Sequence, residues 1–99
     1  NINLNLQNYE GCTALILASR DGHATIVRLL LEHPHTNPNL QNIYKNTALL
    51  FASIRGHKTI VRLLLEHPDT NPNLQNKGNN TASHYIKNKN LVNSTYKYS

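Results

Sequence analysis

Histidine and cysteine are among the side chains that hold metal ions in proteins, and the chain has six histidines and one cysteine. His33 and His35 are two residues apart, so their imidazoles could chelate a metal together. The matching segment 34 residues later has His67 and Asp69 instead, and no cysteine pair supports a tetrahedral site. We therefore interpret the histidines as structural or solvated, and we expect no metal and no cofactor.

The same residue types could also support covalent catalysis. Cys12 with His23 or His84 would supply a thiol nucleophile and a base. However, the residue 34 positions after Cys12 is Asn46, and no glycine motif for an oxyanion hole accompanies the cysteine. A glycine-rich loop that could hold phosphates is missing too. We expect no enzymatic activity.

These residues lie in elements that recur every 34 positions. Residues 8–41 and 42–75 are identical at 24 of 34 aligned positions. The triplet Leu-Gln-Asn spans the start of a unit three times, at 6–8, 40–42 and 74–76. A fixed period of this size is typical of stacked repeat proteins, whose units bury their apolar faces against one another.

The period predicts one domain over residues 1–99. Residues 1–7 would be the end of a preceding repeat, 8–41 and 42–75 two full repeats, and 76–99 a degenerate C-terminal capping repeat. About three units are needed for a stable stack. We therefore expect the chain to be the C-terminal part of a longer array.

Each full unit is predicted to form two helices joined by a tight turn. Thr13 can cap the first helix with its hydroxyl, and Gly22 can end it in a left-handed conformation. The second helix is expected from about Ala24 to Glu32, with Pro34 stopping its continuation. Its apolar residues recur at helical spacing and are expected to be buried: Ile26, Val27, Leu29 and Leu30.

The motifs of the two units resemble the ankyrin repeat. Residues 13–18 and 47–52 match the Thr-Pro-Leu-His-x-Ala signature of that family, although alanine replaces its proline and Ile16 and Leu50 replace its histidine. Gly22-His23 is similar to the turn of the family. The resemblance implies an all-α solenoid of stacked helix-turn-helix units joined by β-hairpin-like loops. It also implies a protein–protein interaction module, with another protein as partner.

Two further departures from the family concern the turns. Lys45 and Asn79 stand where Gly11 occupies the turn of the first unit, which predicts a lysine at positive φ. In the third unit, aligning Leu91-Val92 with Ile60-Val61 needs a three-residue deletion that removes the Gly-His turn.

The positions at which the two units differ concentrate at the turn tip and at the end of the first helix. In ankyrin proteins these places form the concave groove that grips partners, so the resemblance makes them contact candidates. Free drift of exposed positions would produce the same pattern, but tyrosine and arginine are enriched in binding hot spots. The predicted partner-binding residues are Tyr9, Glu10, Cys12, Arg20, Asp21, Ile43, Tyr44, Asn46, Ile54, Arg55 and Lys77.

Two alternative functions remain open. The chain could be a structural or spacer segment of a larger multidomain protein. The net charge of +5 could also support weak binding of nucleic acid or acidic surfaces, because only basic charges follow Asp69. We interpret nucleic acid as an unlikely partner, since no lysine or arginine residues are adjacent.

Location, membrane contact and modification are predicted as follows. The longest apolar runs have five residues, so no membrane span is expected. The single cysteine suits a reducing compartment, which predicts a location in cytosol or nucleus. We also expect a monomer. Abundant asparagine indicates an AT-rich genome, such as that of an intracellular bacterium or a giant virus. In that case we expect the protein to act on host proteins inside the host cell. By resemblance, Asn39 and Asn73 match a loop asparagine that is sometimes hydroxylated.

Overall fold

The computed structural model describes residues 3–92, and these contain five α-helices and no β-strand. The helices are α1 (Ala14–Asp21), α2 (Ala24–Glu32), α3 (Ala48–Arg55), α4 (Lys58–Glu66) and α5 (Ala82–Lys89). This arrangement confirms the all-α prediction. Residues 93–99 of the predicted capping repeat lie outside the described residues.

Local capping sets the ends of the helices, as the sequence predicts. The hydroxyl of Thr13 accepts a hydrogen bond from the Ile16 N–H at 3.1 Å, and Thr47 does the same for Leu50 at 3.1 Å. Each bond satisfies one of the donors that a helix leaves unpaired in its first turn. Gly22 then ends α1 with φ 84°, a left-handed conformation that residues with a Cβ resist.

The helices form two layers. In the inner layer α3 packs between α1 and α5, and in the outer layer α2 packs against α4. Small residues permit the close approach within the inner layer, since Ala48 and Ala52 are fully buried. Leucine and isoleucine fill the space between the layers. The largest buried apolar side chains are Ile16, Leu49, Leu50, Ile60, Leu64 and Ile86.

The prediction for the apolar stripe of α2 is wrong for two of its residues. Val27 is fully buried, but Ile26 is 48% exposed and Leu29 is 62% exposed. The equivalent of Ile26 in α4, Ile60, is 1% exposed. The cause is position in the stack, because α4 packs against the preceding α2, while α2 has no predecessor among residues 3–92.

The turn of the third unit is kept, contrary to the deletion inferred from the sequence. Asn90 ends α5 in the left-handed conformation with φ 54°. The next N–H, that of Leu91, donates to the Ile86 carbonyl at 3.0 Å, as His57 donates to Ala52 at 2.9 Å. Asparagine is the residue with a Cβ that tolerates this conformation best. Asn90 therefore replaces the glycine, and Leu91 joins the core.

Candidate binding surface

Three turn tips precede the inner helices, and each is closed by the same hydrogen bonds. In the second tip the Asn42 N–H donates to the Asn46 carbonyl at 3.0 Å. The Asn42 side-chain oxygen accepts from the N–H groups of Tyr44 and Asn46 at 2.9 and 3.0 Å. Asn8 and Asn76 repeat these contacts in the first and third tips. The backbone of each tip is thus held by its own asparagine.

The three tips are also joined to one another. The Ile43 N–H donates to the Glu10 carbonyl at 3.0 Å, and the Lys77 N–H donates to the Tyr44 carbonyl at 3.0 Å. The Gln41 side-chain amide bridges to the Lys45 and Gln75 carbonyls at 2.9 and 3.1 Å. These bonds connect the tips into one continuous edge, which we call the tip row (residues 9–11, 43–45 and 77–79).

The conformation predicted for Lys45 is confirmed. Its φ is 61°, and Asn79 at the same place in the third unit has φ 63°. Gly11 has φ 81° in the first unit, where a Cβ would lie 2.9 Å from the Asn42 Cα atom. Only glycine therefore fits the first tip, whereas the later tips accept a side chain in a strained backbone.

Large apolar side chains project from the tip row. Tyr9 is 94% exposed, Tyr44 56% and Ile43 48%. Because the backbone beneath them is hydrogen-bonded across units, these side chains occupy defined places on the surface. We call these three residues the apolar strip.

The last turns of the inner helices form a second row, which we call the helix-end row (residues 20–21, 54–55 and 88–89). The Arg20 guanidinium donates to the Asp21 carboxylate at 2.9 Å. This hydrogen bond, more than the attraction of Arg20, His23 and Arg55, holds the pKa of Asp21 below its usual value, while desolvation partly opposes it. In the second unit the same positions carry Ile54 and Arg55, so Arg55 has no carboxylate beside it in sequence.

Charged residues of the two rows affect one another's pKa values. The pKa of Arg20 is raised chiefly by its hydrogen bond with Asp21, and the charge of Glu10 in the tip row adds to the shift. Arg55 in turn acts on Asp21 across the unit boundary. The His57 ring lies 3.0 Å from the Arg20 carbonyl and ties the end of α1 to the second unit.

Most of the predicted contact residues lie in these two rows, but Cys12 and Asn46 do not. Cys12 is 3% exposed and belongs to the core, with its sulfur 3.7 Å from the Asn42 amide nitrogen. Cys12 is thus a core residue rather than a surface contact, contrary to the expectation from the sequence. Asn46, at the same place in the second unit, is half-buried, and its side-chain oxygen has no hydrogen-bond partner among residues 3–92. Both residues immediately precede a capping threonine, where the chain turns inward.

The candidate contacts left out by the sequence prediction are Lys45 and Lys89. Lys45 lies in the tip row and Lys89 in the helix-end row, and both are exposed. Lys45 differs from its counterpart Gly11, so the comparison of the units contains the signal that identifies it. Lys89 is found only by extending the same comparison into the third unit, where it matches Asp21 and Arg55.

The asparagine proposed for hydroxylation has a structural role in the loops. The Asn39 side-chain nitrogen donates to the Asp69 carbonyl at 2.8 Å, and its oxygen accepts from the Asn71 N–H at 2.7 Å. Asn5 makes the matching bonds to the loop of the first unit. Hydroxylation of Asn39 and Asn73 stays a prediction.

Residues 3–92 contain no group of three or more side chains placed to hold a metal ion. The rings of His33 and His35 lie 5.6 Å apart, centre to centre, at 53° to each other. Among the helices α1 to α5, none is long and apolar enough to cross a membrane.

Comparison with known proteins agrees with the repeated architecture. A family model described as ankyrin repeats, in three copies, matches residues 1–76 and again residues 34–93. The two matches overlap by about one unit and together cover nearly all of the chain. No curated protein matches the chain.

Proposed function

Since this chain belongs to the ankyrin repeat family, whose repeats are generally protein–protein interaction modules, we propose that it binds a partner protein through the tip row and the helix-end row. The two rows would form the walls of a groove lined by the inner helices. The family is one of binding modules without catalytic activity. Location in cytosol or nucleus stays a prediction.

The exposure of the apolar strip carries this proposal. Isolated exposed apolar residues are common on protein surfaces, but here three large ones lie in two neighbouring tips, Tyr9 in the first and Ile43 and Tyr44 in the second. Tyrosine in particular buries much area while its hydroxyl remains hydrogen-bonded, which is why it is enriched in binding hot spots. An apolar strip on a rigid edge is therefore suited to docking.

A rigid surface loses less conformational entropy when it binds a partner, and this increases its affinity. Ordering loops and side chains on binding opposes association, by about 0.5–1.5 kcal/mol for each flexible side chain. The bonds from Ile43 to Glu10 and from Lys77 to Tyr44 order the tip backbone before a partner arrives. The chain would thus act as a rigid scaffold, because its core holds the contact residues in place for a partner and no chemical change is needed.

The test is a quantitative affinity capture from cell lysate with two matched variants. The first variant, Tyr9→Ala/Ile43→Ala/Tyr44→Ala, removes the apolar strip. The second, Ile26→Ala/Leu29→Ala, removes exposed apolar area from α2, outside both rows.

We expect proteins bound by the natural chain to be lost by the first variant and kept by the second. Circular dichroism of all three chains controls for folding. Equal retention by the natural chain and the strip variant would place the working surface elsewhere.

A further inference from the structure

Resting on this proposed function, we propose that the groove takes an acidic segment of the partner protein. The carboxylates of that segment lie against the second and third units, and its apolar side chains lie on the apolar strip. The charges at equivalent positions of the three units carry this inference.

The last residue of each inner helix changes its charge along the stack. Asp21 ends α1, Arg55 ends α3 and Lys89 ends α5, each at the same place in its unit. The negative charge of the first unit is already matched by Arg20 at 2.9 Å. The positive charges of the next two units have no such neighbour, because Ile54 and Asn88 stand where Arg20 does.

The tip row changes in the same direction. Its first tip carries Glu10 as its only charge, while the second carries Lys45 and the third Lys77. Both lysines are exposed. Within residues 3–92 the one salt bridge is that between Arg20 and Asp21, so no carboxylate lies within 4 Å of either lysine.

Together, four exposed cations that form no salt bridge within residues 3–92 line the second and third units: Lys45, Arg55, Lys77 and Lys89. The carboxylates of the two rows, Glu10 and Asp21, both lie in the first unit. A bound segment therefore meets positive charge over one part of its length and nearly balanced charge over the rest. Complementary potential of this kind selects partners and accelerates encounter.

The dimensions of the rows suit an extended polypeptide. An eight-residue helix is about 12 Å long, which separates the tip row from the helix-end row. Neighbouring helices pack about 8–10 Å apart, so three units span about 20 Å. An extended chain covers that length in about six residues.

The uneven charge favours a polypeptide over nucleic acid. A nucleic-acid strand carries a phosphate at every nucleotide, so it would place negative charge against Glu10 and Asp21 as well. A polypeptide can place its acids at one end only.

The test is selection from a displayed library of random peptides of about 12 residues, long enough to span three units. The bait is the full 99-residue chain, beside two charge-reversed variants of equal net charge. The groove variant is Lys45→Glu/Arg55→Glu/Lys77→Glu. The control variant, Arg28→Glu/Lys58→Glu/Arg62→Glu, reverses three exposed charges on the outer helices.

We expect the natural chain and the control variant to enrich peptides rich in aspartate and glutamate beside an aromatic or aliphatic residue. The groove variant should lose that preference. The best acidic peptide, synthesised with a fluorescent label, should bind the groove variant at least about tenfold more weakly by anisotropy, and should bind more weakly as salt is added.

Three results would overturn the inference, and they separate it from the proposed function. The natural chain could enrich neutral or basic peptides that Tyr9→Ala/Ile43→Ala/Tyr44→Ala no longer binds. That result would contradict the acidic partner but would still support binding through the groove. Tighter binding of an oligouridine of about 20 nucleotides, in competition with the peptide, would instead favour nucleic acid. Peptide binding that the strip variant does not change, or no enrichment above an empty display control, contradicts the groove itself.

Discussion

The side chain of Asn39 joins two loops, because its oxygen accepts a 2.7 Å hydrogen bond from the Asn71 N–H in the next unit. Its nitrogen meanwhile donates to the Asp69 carbonyl at 2.8 Å. One amide thus satisfies a donor and an acceptor of the neighbouring loop backbone. The family's signature histidine is missing from both full units, so this asparagine supplies a loop connection that does not depend on it.

Asn39→Ala is expected to lower the free energy of unfolding by about 1–2 kcal/mol, because both bonds are lost at once. Urea denaturation followed by circular dichroism measures the change. The matched control is Asn73→Ala, since Asn73 is exposed and its side chain has no hydrogen bond within residues 3–92. An equal effect at both positions would contradict the structural role of Asn39.

Gly22→Ala and Gly56→Ala should differ although both glycines end a helix with similar φ, 84° and 76°. Alanine in this conformation is expected to destabilise either site by about 1 kcal/mol. At Gly22 the added Cβ would also lie 2.9 Å from a carbon of the His57 ring, while at Gly56 it meets nothing within 4 Å. Crowding should add about 1–3 kcal/mol at Gly22 only.

Thermal and urea unfolding of the two glycine variants measure this difference directly. His57→Ala and the double variant Gly22→Ala/His57→Ala are the controls, because removing the ring removes the clash and the single variant measures the loss of the ring's own contact with the Arg20 carbonyl. Equal destabilisation by Gly22→Ala and Gly56→Ala would mean that the ring moves aside without loss.

Lys45→Gly is expected to stabilise the chain by about 0.5–1 kcal/mol, because φ at this residue is 61° and glycine relieves the strain. Lys77→Gly, in the tip row but without positive φ, should instead destabilise slightly through the added freedom of the unfolded chain. Both variants remove one positive charge, so their comparison isolates the backbone. The prediction fails if the two substitutions shift the urea midpoint in the same direction.

Acid should weaken the contact between Arg20 and Asp21. The folded-state pKa of Asp21 lies below the ordinary 3.8, so its contribution to stability is present above that value. It is lost as the pH falls through the lower, folded-state pKa. Between pH of about 5 and about 3, the natural chain should therefore lose stability that Asp21→Asn does not lose.

Because both partners of this ion pair are exposed to solvent, the effect should be small and screened by salt. Urea unfolding at the two pH values, with and without about 0.5 M NaCl, is the measurement. A difference between the natural chain and Asp21→Asn that is unchanged by salt would point to another cause.

Much of the fold follows from local patterns. The cap at Thr13, the left-handed glycine at residue 22 and the extent of α2 from Ala24 to Glu32 are all predicted correctly. Each depends on a few neighbouring residues, since a hydroxyl caps the turn beside it and a glycine bends its own backbone. The positive φ of Lys45 was also predicted, by alignment with Gly11.

The candidate surface was predicted less completely, for a physical reason. Comparison of the two units identifies positions that vary, but variation alone does not say which way a side chain faces. Cys12 varies and is buried, while Lys89 lies beyond the two full units and was missed. Burial results from packing of one unit on another, which the sequence of a single unit does not contain.

The sequence by itself determined the period, and in the two full units also the helix ends and the left-handed turns, because a cap or a turn results from interactions within about four residues. Only the tertiary structure decided which of two side chains at equivalent positions of the repeats is buried. Ile26 and Ile60 lie in the same local sequence, Thr-Ile-Val-Arg-Leu-Leu-Leu-Glu, yet Ile26 is 48% exposed and Ile60 is 1% exposed. The difference arises because an apolar face is buried only where a neighbouring helix covers it, and α2 covers α4.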